Sequence, residues 1–300
     1  MVAASLGVTT TPAVSLRTLV LGWRLSPVVT ATVAAAAVWY VAARGHVKAG
    51  GRCSTGGRTT AFLAGLAVIL IALDSGLAAY DESVFALHVV QHLLLGMVAP
   101  ILLALGAPVT LAIQASRRPI QRRVLGVVHS RAVAVLTHPL VTWPLFGTTM
   151  IGLYFTPLYE LSVRHPVLHD VVHVHFLVVG MLFFWPVVGL DPTRGRLPYG
   201  ARLLYVFLAI PFHAVVGVAL LSSTAPLYKA HTLADQQAGA AIMWGASDFV
   251  ALAAVAVVLS QWMAYDEREA AREDRRLDAL DALRSIDPLI ASPGVARHGT

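Results

Sequence analysis

Residues 84–105 read VFALHVVQHLLLGMVAPILLAL, a run without one Asp, Glu, Lys or Arg. About 20 mostly apolar residues are enough for a helix to cross the hydrocarbon core of a bilayer. The stretch is therefore read as a membrane span. It nevertheless carries His88, Gln91 and His92, polar groups that lipid-facing positions do not tolerate cheaply.

The rest of the chain takes the same form. Of its 300 residues 57% are hydrophobic and 13% charged, against about 25% charged in a soluble domain. The mean hydropathy is +0.71. The expected fold class is all-α, a polytopic membrane helix bundle. Seven spans are expected, at 27–43, 60–80, 84–105, 132–155, 168–189, 203–222 and 239–263. The first is the least apolar, and no internal repeat is evident. Residues 1–26 form an N-terminal segment, 27–263 the seven-span domain, and 264–300 a charged helix with a disordered tail. The N-terminal stretch lacks the signature of a cleaved signal peptide.

The formal net charge of +6 then marks topology and gives no nucleic-acid signal. Arg44, Lys48, Arg52 and Arg58 follow the first span; Arg117, Arg118, Arg122, Arg123 and Arg131 follow the third. Arg194, Arg196 and Arg202 follow the fifth, and six arginines lie beyond residue 263. The connection after the second span has only Asp81 and Glu82; the fourth has Arg164 and the sixth Lys229. Basic connections face the cytoplasm, so the N-terminus is expected outside and the C-terminus inside. Arg17 and Arg24 dissent mildly. The single cysteine, Cys53, permits no internal disulfide and suggests no thiolate cluster.

Twelve histidines are the unusual feature. His88 and His92 lie one helical turn apart in the outer half of the third span, so they share a face. His169 and His173 repeat that spacing in the outer half of the fifth, and His213 sits in the sixth. Asp74, Asp248, Met97, Met150 and Met243 fall at similar depth. Neutral imidazole suits copper, zinc, iron and nickel, and thioether adds a preference for Cu(I). A lone histidine in a span is commonly a hydrogen-bonded packing residue, but two pairs at one depth favour a site. Asp74, Asp248 and Gln91 could orient imidazoles or simply pair as polar groups. The methionines could equally be core or lipid-facing. His165 and His231 are read as exposed loop residues without a role.

The runs HVVQHLLLGMVAPILLALGAPVTL, HPLVTWP, VHVHFLVVGMLFFWPVVGLDP, PFHAVVGVAL and DQQAGAAIMW occur in that order. Over residues 60–263 the chain resembles the polytopic, seven-span cytochrome c oxidase assembly factors of the CtaG type. The resemblance implies a multi-pass protein of the bacterial plasma membrane that is not an enzyme and has no nucleic-acid partner. Its partners would be the lipid bilayer and cytochrome c oxidase subunits during assembly. It implies copper as the metal and carries over His88, Gln91, His92, His169, His173 and His213; the five histidines are the candidate ligands, with Gln91 in support, and Asp74, Asp248 and Met97 join that support from their depth alone. Two alternatives stay open: a haem-binding redox protein with axial histidines, and a proton- or metal-linked transporter using the same polar groups as a relay.

Overall fold

The computed structural model describes residues 14–51, 56–193 and 196–290. Expectations for the first 13 residues, Arg52, Cys53, Arg194 and the final ten residues fall outside these. All regular structure among the described residues is helical. The helices are α1 (Leu16–Leu21), α2 (Pro27–Ala49), α3 (Gly56–Asp74), α4 (Phe85–Leu93), α5 (Ala99–Leu105), α6 (Pro108–Ala115) and α7 (Arg118–Val128). They continue as α8 (Arg131–Leu136), α9 (Pro139–Tyr154), α10 (Leu158–Arg164), α11 (Pro166–Val188), α12 (Tyr199–Leu221) and α13 (Leu233–Ile290). A π turn, Leu94–Val98, joins α4 to α5.

Six of the seven expected spans are long and apolar enough to cross a membrane. The exception is the fourth. Helix α8 stops at Leu136, and His138 starts α9 afresh by accepting the Leu140 N–H on Nδ1 at 3.2 Å. Sixteen residues remain in α9, about 24 Å of helix. The second span also ends earlier than expected. Helix α3 stops at Asp74 and residues 76–83 form turns.

The third span is the centre of the bundle. Helix α3 packs against α5, while α11 packs against the π turn, α5, α9 and α12. Pro100 explains the irregularity, since it cannot donate to the Gly96 carbonyl one turn back. The ladder widens there, with Ala99 donating to Leu94. The freed Gly96 carbonyl faces Gly180 of α11, where any Cβ would collide with it. Large apolar side chains such as Val38, Phe207 and Phe249 face outward, as a lipid-exposed surface requires.

The motif GAPVT meets the motif WPVVGLDP in space. Ala107 adopts a left-handed conformation, φ 48°, and Pro108 opens α6. The Asp191 carboxylate receives the Thr110 N–H and hydroxyl at 2.7 Å, the Val109 N–H at 3.3 Å and the Trp185 indole N–H at 3.1 Å. Trp185 is thus tied to a cap as well as to its packing.

Residues 256–300 form a second unit. Its first turns are still apolar, with Val258 buried, and residues 265–283 are exposed and mostly polar, with an Arg276–Glu273 pair at 3.5 Å.

Candidate functional site

Helix α4 begins at Val84, whose side chain cannot cap it. The missing acceptor comes from α13. The Asp235 carboxylate takes the Phe85 and Ala86 N–H groups at 2.8 and 3.2 Å. This fixes the first turn of α4, one turn before His88. Pro166, pre-set for a helical first position, starts α11 one turn before His169.

The four expected imidazoles then converge in one layer. Ring centroids of His88 and His92 lie 4.0 Å apart, and those of His169 and His173 4.3 Å apart. Across the helices His88 faces His169 at 5.4 Å and His92 faces His173 at 5.6 Å. All four are buried, His88 completely. Gln91 sits between them, its Nε2 donating to the Ala72 carbonyl at 2.9 Å and its Oε1 facing His173 Nε2 at 3.0 Å.

Their hydrogen bonding is incomplete. Neither ring nitrogen of His88 or of His169 has a hydrogen-bond partner, nor does His92 Nε2. An unsatisfied buried polar group costs about 1–3 kcal/mol, and such groups in a native fold call for an unseen ion or water. His169 does have charged neighbours: Asp81 at 3.5 Å and Glu82 at 4.0 Å. Ligand atoms of Asp81, His169 and His173 lie within 4.8 Å of one another, close enough to share a metal ion. Burial pushes the Asp81 carboxyl above the usual carboxylate range, opposed by the His169 imidazole. A cleft lined by Asp81, Glu82, Gln91, His169, Asp170 and His173 opens onto this group.

A second chain of contacts backs the layer. Tyr159 stands edge-on to His88 at 4.8 Å and meets His231 Nε2 at 2.8 Å. His231 Nδ1 lies 3.3 Å from the same Asp235 that caps α4. Burial raises the Tyr159 phenol far above its ordinary value, so it stays a neutral hydroxyl. Tyr154 Oη is 3.3 Å from His92 Nδ1.

Several expectations are corrected here. Asp74 does not serve the imidazoles. Its carboxylate receives the Ser26 N–H at 3.1 Å and the Thr30 hydroxyl at 2.9 Å, because α3 ends there and turns it toward the start of α2. His231 is buried, not exposed. Asp248 holds no imidazole; its Oδ1 is buried without a hydrogen-bond partner. His213 makes no ring contact with the quartet; it stands against Phe146 at 5.6 Å, in a small pocket that His92 and Met97 also line. His165 is exposed as expected, and His175 turns away to Thr149 at 2.9 Å. Asp81, Tyr154, Tyr159, His231 and Asp235 were not singled out from sequence. The four-residue spacing of His231 and Asp235 was the one available signal, and it became visible only once α13 was known to begin at Leu233.

A family model described as cytochrome c oxidase caa3 assembly factor (Caa3_CtaG) matches residues 35–265. Uncharacterized proteins of Mycobacterium leprae and Mycobacterium tuberculosis are each 36% identical over 275 residues, 86% of this chain and 42% of theirs. The chain thus spans about two fifths of the length of the curated relatives it matches. No solved structure matches it.

Proposed function

The chain belongs to the cytochrome c oxidase caa3 assembly factor family, and from that footing we propose that it handles copper for a haem–copper oxidase at the bacterial plasma membrane. Copper is the cargo and no turnover is required. The ligands are His88, His92, His169 and His173, with Asp81 added at the mouth of the cleft. Oxidase subunits are the partners that receive the ion. The orientation given by the basic connections puts the quartet near the outer face, where thiols would oxidise and imidazoles would not.

One observation carries this reading: a completely buried imidazole, His88, with no well-formed hydrogen bond at either nitrogen beyond a weak contact with the Asp81 backbone, and three further imidazoles around it. Packing histidines in lipid bond to neighbours at one or both nitrogens; here only His92 and His173 do so, and His88 and His169 face other imidazoles. Neutral imidazoles with one carboxylate suit Cu, Zn or Ni by ligand type, and membership of an oxidase-assembly family supports copper among them. The haem alternative fits less well. The rings meet edge to face at 4.0 to 5.6 Å, which leaves no slot for a macrocycle between them.

Detergent-purified full chain, exposed to copper and desalted, is expected to retain the metal. The His88→Ala/His92→Ala and His169→Ala/His173→Ala variants are expected to lose it and to fail to restore oxidase activity in a deletion strain. Wild type that holds no copper, or doubles that hold as much as wild type, would sink the proposal.

A further inference from the structure

Among the buried nitrogens without a partner outside the quartet, one is an imidazole of α12. His213 of α12 keeps an Nε2 without a hydrogen-bond partner, as His92 does. Both residues line the same pocket, together with Met97, Met150, Met243 and Tyr154. The three methionines come from the π turn, α9 and α13, and each is almost fully buried. The free volume is about 10 Å³, on the order of one water-sized centre.

Methionine is a common filler of irregular cores, and packing alone would explain three of them. It does not explain two bare imidazole nitrogens in the same pocket. Its lining has no carboxylate, unlike the group at Asp81. The charging cost of a buried ion rises with the square of its charge, so a monovalent ion costs roughly a quarter of what a divalent one does. Thioether and imidazole together select Cu(I) over harder ions. Donation from His92 Nδ1 to Tyr154 Oη, 3.3 Å away, would leave Nε2 as the lone-pair nitrogen.

We infer that His92, His213, Met97, Met150 and Met243 form a second, inner site that holds Cu(I). It lies beside the outer group of Asp81, His88, His169 and His173, and the one lone pair of His92 serves either site but not both at once. The inference rests on the copper reading above. It adds a second donor set to it, nitrogen and sulfur in the pocket beside oxygen and nitrogen at Asp81.

The test uses purified full chain in detergent, with Cu(I) supplied anaerobically against bathocuproine disulfonate and X-ray absorption at the copper edge. Wild type is expected to hold Cu(I) with sulfur scattering. Met97→Leu/Met150→Leu/Met243→Leu, a near volume-conserving change, is expected to lose the sulfur signal and at least about tenfold in Cu(I) affinity. Its Cu(II) uptake stays as in wild type. If the triple variant does not fold, His213→Gln carries the same test through Cu(I) affinity. Cu(I) held by nitrogen ligands alone, or unchanged affinity in the variants, overturns the inner site and leaves the copper reading standing. A water bridging the two nitrogens is the competing occupant, and it predicts Cu(II) uptake without Cu(I) uptake. Uptake of neither form overturns both readings.

Discussion

Gln91 decides the state of the ring beside it. A carbonyl can only accept, so the contact with Ala72 O must be made by the amide nitrogen. That leaves Oε1 toward His173 and makes His173 Nε2 the donor. The lone pair of His173 is then on Nδ1, available to a metal. Partners that fix a ligand's tautomer are commonly worth about 10–100-fold in metal affinity. Gln91→Leu is expected to lower copper affinity by that order while the protein still folds, as a chelator-competition titration would show. Equal affinity in the variant would mean that the amide only packs. The two histidine pairs were legible in the sequence because four-residue spacing fixes a face before any tertiary structure is known. The role of Asp74 stayed open between orienting an imidazole and pairing elsewhere, because depth along a helix does not say which neighbour a carboxylate reaches; it pairs with Ser26 and Thr30. Asp81 and Tyr159 were illegible because their contacts arise across loops, where no period applies.

The elements show why the layer is tight. A proline inside an apolar run, such as Pro100, announces a kink, but the widened turn before it depends on which carbonyl is left free and what then approaches it. Here the approach is Gly180, and a Cβ on it would meet Pro100 Cγ at 2.7 Å and the Gly96 carbonyl closer still. Gly180→Ala must therefore push α11 away from the third span, which also separates His169 and His173 from His88 and His92. Overpacking of this kind costs about 1–3 kcal/mol, and both a lower unfolding temperature in detergent and weaker copper binding are expected. Gly152 in α9 provides the control, since nothing lies within 4 Å of a Cβ there. Gly152→Ala should be neutral or slightly stabilising. Equal behaviour of the two variants would remove the close approach as a cause. The late start of α9 belongs to this scale too. An apolar run gives a span, but the His138 cap that divides it is a local hydrogen bond.

At the scale of the whole molecule, the copper reading depends on which side the quartet faces. The loops carrying Asp81 and His231 and the short helix α10 carrying Tyr159 meet beside the imidazole layer, through the Asp81–His169 and Tyr159–His231 contacts. Exposed Arg118, Arg122 and Arg123 of α7 belong to a basic connection that follows the third span. Short loops rich in Lys and Arg stay in the cytoplasm, so α7 should be inside and the loop with Lys229 and Ala230 outside. Single cysteines read this directly. The native Cys53 and, in a Cys53→Ser background, Gly126→Cys should react with a membrane-impermeant maleimide only after lysis. Ala230→Cys in the same background, at an exposed position, should react on intact cells. Glycine 126 has open space around it, so failure to label there before lysis would reflect sidedness and not burial. The reverse pattern would turn the imidazole layer toward the cytoplasm, where a copper donor to an outward-facing oxidase centre could not act from this site.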